Sequence, residues 1–235
     1  MKNQTFIDKR TALSQHFLFR QLLPVEIERI VSLIVEKRFD NGQTIFMAGD
    51  DGSSMMIVLE GKVQISAVSE DGKEITLNYI ETGGILGEIA LLDGKKRSAN
   101  ASAVGACRLA YIQRAEVIPY LRSNADVAIQ LLIVLCEKLR NTSYMLENLG
   151  LLPVPARLAK LILKLANADQ ANLHPGYVIT LSLSQQKMAN LICSTRESVN
   201  RTLRQWQAEG LIQLQQQQLT LLKPGQLISL SETSI

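Results

Sequence analysis

Four short segments separated by glycine-containing turns decide the fold class of this chain: QTIFMAGD (residues 43–50), MMIVLEGKVQIS (55–66), EITLNYIETGG (74–84) and NASAVGACRLAYI (100–112). Turn signals recur between them roughly every ten residues, a spacing typical of a small antiparallel sandwich or barrel. The sequence therefore predicts sheet structure from about Gln43 to Tyr111, and the Asp71-Gly72 pair predicts the tip of a hairpin.

Length and composition indicate a globular protein with more than one domain. The 235 residues exceed the ~100–200 residues typical of a single domain, and 46% hydrophobic with 20% charged residues exclude a disordered or collagen-like chain. The apolar runs are much shorter than the ~18 residues of a membrane span, and the polar start MKNQTFIDKR lacks a signal-peptide core. We expect a cytoplasmic protein with no membrane partner.

Charge is distributed unevenly between the two parts of the chain. Residues 1–150 carry 17 Lys and Arg against 18 Asp and Glu, whereas residues 151–235 carry 8 against 4. The positive excess near the C-terminus favours a polyanionic partner there.

A long helix is predicted from Asn124 to Leu149. Its mainly apolar seam follows heptad spacing through Ala128, Leu132, Leu135, Leu139, Thr142, Leu146 and Leu149. We interpret this seam as a parallel homodimer contact; the alternative is that the helix packs on its own barrel. Thr142 is the polar residue of the seam, and its hydroxyl, like that of the adjacent Ser143, needs a partner.

Gly150, Pro153 and Pro155 then predict an interruption and a hinge, followed by a helix through Asn167. Further on, two short helices flank a turn at Cys193-Ser194. Ser184 can cap the first, QQKMANLI, and Thr195 can cap the second, RESVNRTLRQWQAE.

The second of these helices has one apolar and one polar face. Val199, Leu203 and Trp206 recur at helical spacing and should face a core. The pair of helices has the helix-turn-helix layout, in which the second helix enters the major groove of DNA; an ordinary solvated helix face is the alternative. The segments LIQL and LTLL around residues 215–218 predict a hairpin, or wing. The predicted DNA-binding residues are Ser184, Gln185, Thr195, Arg196, Glu197, Asn200, Arg201 and Arg204.

The segment GEIALLDGKKRSANA (residues 87–101) has the composition of an anion site. Backbone amides at a helix start, an arginine (Arg97) and a hydroxyl (Ser98) can hold a phosphate. An acidic residue beside them, Glu88, suits a ribose hydroxyl instead. The two functions together predict a nucleotide, although Gly-Glu and Arg-Ser pairs also occur commonly without one.

The run G-E-I-A-L-L followed by R-S-A resembles the phosphate-binding cassette of cyclic-nucleotide-binding domains. This cassette, the long helix and the R-E-S-V-N-R helix stand in the order found in the Crp/Fnr family of transcription regulators. The resemblance implies an α+β fold: an N-terminal antiparallel β-roll of jelly-roll type (residues 1–123), a dimerisation helix (124–150) and a C-terminal winged helix-turn-helix domain (151–235).

The resemblance also implies a role for individual residues. In the nucleotide site, Gly87 would allow close backbone approach, Glu88 would bind the ribose 2′-hydroxyl, and Arg97 and Ser98 would bind the cyclic phosphate. Ile89 and Ala90 belong to the same set of ligand-binding residues. Thr142 would contact the base in its own subunit, and Ser143 would reach the ligand of the partner. The pocket wall would be formed by Val63, Ile75 and Leu77. Arg196, Glu197 and Arg201 would contact bases in half-sites that resemble TGTGA.

We therefore predict a homodimeric transcription regulator that responds to cAMP as an allosteric effector and binds double-stranded palindromic DNA and RNA polymerase. The alternatives keep the fold but replace cAMP with cGMP, another small effector or no ligand. We predict no enzyme activity, because the C-terminal part has no P-loop, nucleophile elbow or metal-ligand cluster. Neither the histidines, His16 and His174, nor the cysteines, Cys107, Cys136 and Cys193, suggest a metal or catalytic site.

Overall fold

The structure is a computed structural model that describes His16, Glu28 and residues 31–166, 172–181, 183–215 and 218–233. Contacts divide the chain into two compact units. The first comprises Met1–Ser69 and Leu77–Leu139, and the second comprises Glu70–Thr76 and Arg140–Ile235. The domain boundaries that the sequence suggested, at residues 123 and 150, remain a prediction.

The first unit is built on an antiparallel sheet, as predicted. Its strands are β1 (Val35–Phe39), β2 (Thr44–Phe46), β3 (Ser54–Val68), β4 (Glu74–Glu81), β5 (Ile85–Leu86) and β6 (Asn100–Gln113). They are ordered β1-β6-β3-β4, while β2 pairs with β6 and β5 pairs with β3. Gly72 adopts φ 78° in the turn between β3 and β4, which confirms the predicted hairpin tip.

The first half of strand β3 is buried on both faces. Met56 and Val58 pack in one cluster with Leu109, whereas Met55 and Ile57 pack in another cluster against helical residues. Because side chains alternate across a strand, burial of both sets means that the sheet is covered on each side here. The helices therefore cover one face of the sheet.

Helix α1 (Glu88–Asp93) lies between β5 and β6, and helices α2 (Arg114–Ser123) and α3 (Ala125–Leu151) follow β6. Helix α3 starts one residue after the predicted position. It continues through Gly150, where the sequence predicted an interruption, and the Leu152 amide still donates to the Asn148 carbonyl at 3.0 Å. A single glycine costs a helix only ~1 kcal/mol, so the break falls at Leu152 and Pro153 instead.

The second unit contains α4 (Val154–Ala166), β7 (Tyr177–Thr180), α5 (Gln185–Leu191), α6 (Arg196–Ala208), β8 (Ile212–Gln215), β9 (Gln218–Leu221) and α7 (Pro224–Ser231). Strands β8 and β9 form the predicted wing, and β7 joins them in the order β7-β9-β8. Residues 216–217 of the wing, and Asn167 at the predicted end of α4, lie outside the described residues. Leu158, Ile162 and Leu203 belong to the core of this unit.

In the part of the chain that the structure describes, no single helix is long and apolar enough to span a membrane. The pair α2 and α3 passes that test of length and composition only when both are counted together, and the pair is bent by 114°.

Candidate functional sites

The predicted cassette begins at a glycine that no other residue can replace without strain. Gly87 lies between β5 and α1 with φ 78°, in the left-handed region that L side chains rarely adopt. A Cβ atom at this position would lie 2.4 Å from Arg97 Nη1 and 3.2 Å from the Ser54 carbonyl oxygen. Gly87 therefore allows the guanidinium to approach the backbone at the start of α1.

Arg97 is buried at 5% exposure, and backbone carbonyls hold its guanidinium. Nη1 donates to the Gly87 carbonyl at 2.8 Å, and Nη2 donates to the Ser54 carbonyl at 2.6 Å. The guanidinium carbon also lies 4.6 Å from the centroid of the Phe46 ring. These contacts hold the guanidinium beside the first turn of α1.

The charge of Arg97 is only partly compensated. Burial lowers the pKa of Arg97, while Tyr111 and Glu88 oppose that shift. Its Nε is buried without a hydrogen-bond acceptor, and none of the described carboxylates forms an ion pair with it. A buried cation held mainly by carbonyl groups is a site where an anion is stabilised.

Glu88 is buried at 2% exposure and is paired with a lysine that sequence analysis missed. Lys138 Nζ on α3 lies 2.8 Å from Glu88 Oε1 and donates to the Ile85 carbonyl at 2.9 Å. Lys138 directly precedes the seam residue Leu139, and a basic residue flanking a heptad seam was the available signal. A residue 50 positions away in sequence therefore completes the cassette.

The other predicted nucleotide-site residues lie in different environments. Val63 is fully buried in the core of the sheet, Ile75 is half-buried and Leu77 is 39% exposed. In the cassette, Ala90 is buried, whereas Ile89 and Ser98 are exposed. Thr142 and Ser143 are exposed on the part of α3 that belongs to the second unit. The structure thus brings Gly87, Glu88 and Arg97 together, and the ligand contacts of the remaining residues stay predictions.

Helix α3 has two apolar stripes. Val127 and Leu131 are buried in the core of the first unit, and Val134 packs against it. The predicted seam lies on another side of the helix, where Leu132, Leu139 and Leu146 are 58%, 66% and 70% exposed. The core of the first unit therefore covers one stripe, and the other stripe is exposed in the single chain.

Side-chain caps define the predicted helix pair of the second unit. Ser184 Oγ accepts from the Lys187 amide at 3.2 Å, and Thr195 Oγ1 accepts from the Ser198 amide at 3.2 Å. These bonds confirm the predicted starts of α5 and α6. The turn between them contains Cys193 at φ 49°, a left-handed conformation that is rare for a residue other than glycine.

Arg157 supports this turn and was not found by sequence analysis. From α4 its Nη1 donates to the carbonyls of Ile192 and Cys193, the latter at 3.3 Å. Burial raises the pKa of the Cys193 thiol, and the Arg157 charge opposes that shift. The guanidinium thus fixes the carbonyl groups that connect α5 to α6.

The solvent-facing side of α6 carries polar residues, and its arginines form no ion pairs with other described residues. Val199, Leu203 and Trp206 are buried, as the spacing predicted. The residues predicted to contact DNA point away from this core: Arg196, Glu197, Arg201 and Arg204 are exposed, as is Ser184, and Asn200 and Gln185 are half-buried. None of the three arginines forms an ion pair with a described residue. The face is positive and available to an anionic partner.

Metal binding has no support in the described segments, in which no cluster of three or more His, Cys, Asp or Glu side chains could hold an ion.

Two sequence families match the chain: a cyclic nucleotide-binding domain over residues 36–124, and a Crp-like helix-turn-helix domain over residues 156–230. The cAMP-activated global transcriptional regulator CRP of Haemophilus influenzae is 30% identical over 170 residues, which cover 72% of this chain and 75% of that protein. The CRP-like cAMP-activated global transcriptional regulator of Mycobacterium tuberculosis is 28% identical over 203 residues, covering 86% and 91%. The c-di-GMP-responsive global regulator CLP of Xanthomonas campestris has a similar solved structure, with a TM-score of 0.71, 26% identity and coverage of 83% and 97%.

Proposed function

The chain belongs to the Crp/Fnr family of transcription regulators, and from that premise we propose that it is a homodimer whose binding to palindromic DNA is controlled by cAMP. The family consists of transcription regulators rather than enzymes. The proposed partners are double-stranded DNA, a second copy of the chain and RNA polymerase, in the cytoplasm.

The buried guanidinium of Arg97 is the observation that carries the nucleotide proposal. Its Nε is unpaired, no described carboxylate forms an ion pair with it, and the carbonyl contacts already orient it next to the start of α1. A cyclic phosphate would supply the missing anion, with Ser98 and the first amides of α1 as further donors. The residues present therefore fit the phosphate of a cyclic nucleotide.

Glu88 is proposed to bind the ribose. Its Oε1 holds Lys138, while no described residue donates to its Oε2. A carboxylate oxygen accepts readily from a 2′-hydroxyl, whereas it repels a phosphate. The cassette thus separates one subsite for an anion from one for a sugar hydroxyl.

The second apolar stripe of α3 supports the homodimer. Leu132, Leu139 and Leu146 are each more than half exposed although they follow heptad spacing. Exposed leucines at this spacing are stabilised when a second helix packs along them. In this arrangement Thr142 would meet the base of its own ligand and Ser143 that of the partner.

The polar face of α6 supports operator recognition. Arginine can donate two hydrogen bonds to guanine, and glutamate can accept one from cytosine, which together favour a TGTGA-like half-site. In the competent dimer the two helices α6 must reach successive major grooves, about 34 Å apart. The ligand shifts the equilibrium towards that state only by binding it more tightly.

The proposal is tested by titrating the full chain with cAMP, cGMP and c-di-GMP in a calorimeter, followed by DNA-binding titrations with each nucleotide. The operator is a TGTGA-type palindrome, and a scrambled duplex of the same composition is the control. Binding of cAMP together with stronger operator binding supports the proposal. A response to c-di-GMP alone, or the same operator affinity with and without every nucleotide, assigns a different effector or none and overturns the cAMP proposal.

A further inference from the structure

The N-terminal half of α6 uses its hydroxyl side chains internally. Thr195 Oγ1 donates to Ser198 Oγ at 3.1 Å, and Thr202 Oγ1 donates to the Ser198 carbonyl at 2.9 Å. Asn200 differs, because its side-chain amide forms no hydrogen bond with any described residue. Both its donor and its acceptor are therefore available to a partner.

The other described asparagine of the helix pair provides a comparison. Asn190 on α5 is buried at 6% exposure, and its Oδ1 accepts from Gln186 Nε2 at 2.8 Å. Polar groups removed from water are normally paired in this way. Asn200 is half-buried without such a bond, and its amide is not among the buried unpaired polar groups, so it is accessible to a ligand that docks on α6.

Asn200 lies between the arginines of the same face. It follows Arg196 by one helical turn and directly precedes Arg201 in sequence, and it borders the buried stripe formed by Val199 and Leu203, which leaves it half-buried. Four residues of helix rise about 6 Å, just under two base-pair steps of about 3.4 Å. Because Asn200 lies between Arg196 and Arg201 both along and around the helix, it would meet a base pair between those that the two arginines contact.

The chemistry of the amide selects adenine. Adenine presents an acceptor, N7, beside a donor, the N6 amino group, so it can accept from Asn Nδ2 and donate to Asn Oδ1 at once. Guanine presents two acceptors and suits arginine instead. In a TGTGA half-site the central T·A pair lies between the two guanines and carries an adenine on the complementary strand.

We propose that Asn200 is a specificity-determining residue that reads the adenine of this central pair. The inference rests on the proposed operator-binding function and adds to it the residue responsible for one position. It predicts that the central pair is selected by direct hydrogen bonds, independently of the arginines on either side.

The test is a binding selection from a palindromic DNA library randomised across each half-site, with the full chain saturated with cAMP. The wild-type chain should prefer T·A at the central pair about tenfold. Asn200→Ala should reduce that preference below about twofold while the flanking guanines are still selected. Asn200→Asp, which offers acceptors alone, should move the preference towards cytosine, whose amino group donates to a carboxylate.

Gln207→Ala is the matched control, because Gln207 is exposed near the end of the same helix. It should leave the whole preference unchanged. An Asn200→Ala variant that keeps the wild-type preference at the central pair overturns the inference and leaves operator binding intact. A wild-type chain that selects no sequence at any position overturns the proposed function itself. Circular dichroism and cAMP affinity of each variant confirm that it is folded.

Discussion

Lys138 Nζ lies 2.8 Å from Glu88 Oε1, and the two side chains are 26% and 3% exposed. Lys138 also donates to the Ile85 carbonyl, so one side chain of the long helix α3 contacts both β5 and α1. The pair joins the helix that carries the heptad seam to the carboxylate proposed to bind ribose. A change at either position should therefore affect the stability of the first unit.

Lys138→Met should lower the free energy of unfolding by about 2 kcal/mol, because it leaves a buried carboxylate without its charged partner. Urea unfolding of the full chain measures the change, and a double-mutant cycle with Glu88→Gln isolates the pair. The exposed Lys95→Met is the control and should stay within about 0.5 kcal/mol of wild type. Additive effects of the two substitutions would contradict a direct interaction.

Arg97→Ala should weaken cAMP binding by about 100-fold, because it removes the charge-assisted donors proposed for the phosphate. Arg97→Lys should be intermediate, since an ammonium keeps the charge but cannot reproduce the planar fork. Calorimetry on the full chain measures both affinities, with Lys95→Ala as a control in the same segment. If Arg97→Ala bound cAMP with wild-type affinity, the proposal that Arg97 binds the phosphate would be wrong.

The free energy of unfolding should fall in mild acid because His16 is buried in its neutral form. Burial lowers the pKa of His16 to about 4, against a smaller opposing effect of the Gly83 carbonyl, whose oxygen lies 3.0 Å from Nε2. In the unfolded chain His16 binds a proton near pH 6.5, whereas in the folded chain it does so only near pH 4. The full contribution of neutral His16 to the free energy of unfolding is therefore present above pH 6.5 and is lost as the pH falls towards 4.

Between pH 7 and pH 5 this linkage amounts to about 2 kcal/mol. Urea unfolding at the two pH values should give that much less acid sensitivity in His16→Gln than in the wild-type chain. Equal acid sensitivity of the two proteins would mean that His16 titrates normally in the folded state.

Local signals account for the features that sequence analysis predicted. The caps at Ser184 and Thr195 and the tip at Asp71-Gly72 depend on residues within a few positions of one another. The heptad seam of α3 is a repeat along one helix. Helix caps, hairpin tips and heptad repeats depend on neighbouring residues, so they can be predicted from the sequence alone.

Contacts distant in sequence account for what was missed. Strand β1 (Val35–Phe39) has four exposed residues of five and pairs with β6 some 70 residues later, so its sequence VEKRF lacks an alternating apolar pattern. Arg157 contacts a turn 35 residues away. Strand β7 and helices α2 and α7 were also not predicted; they have 4, 10 and 8 residues, too few for a clear apolar period.

Cys193→Gly should raise the free energy of unfolding by about 0.5–1 kcal/mol. Cys193 adopts φ 49° in the turn between α5 and α6, a conformation that glycine adopts without the steric cost of a Cβ atom. Cys193→Val should instead destabilise the protein by more than about 1 kcal/mol, because a β-branched side chain is disfavoured at positive φ. Urea unfolding measures both, with Cys136→Ala on the exposed side of α3 as the control.

Leu139→Glu should convert the protein to a monomer and reduce its affinity for a palindromic operator. Leu139 is 66% exposed in the single chain, so a charge there costs little packing within its own unit. In a parallel dimer it would place two carboxylates in the seam. Sedimentation velocity across a concentration series should show a dimer dissociation constant raised by at least about 100-fold.

Glu137→Gln, two residues away on the exposed side of α3, is the matched control and should remain dimeric. The cAMP affinity of Leu139→Glu tests whether helix α3 contributes to ligand binding as well as to dimerisation. If the base is contacted by Thr142 of the same chain and Ser143 of the partner, the monomer should bind cAMP more weakly than the dimer. A Leu139→Glu chain that sediments as a dimer would place the subunit contact elsewhere and exclude the seam as the interface.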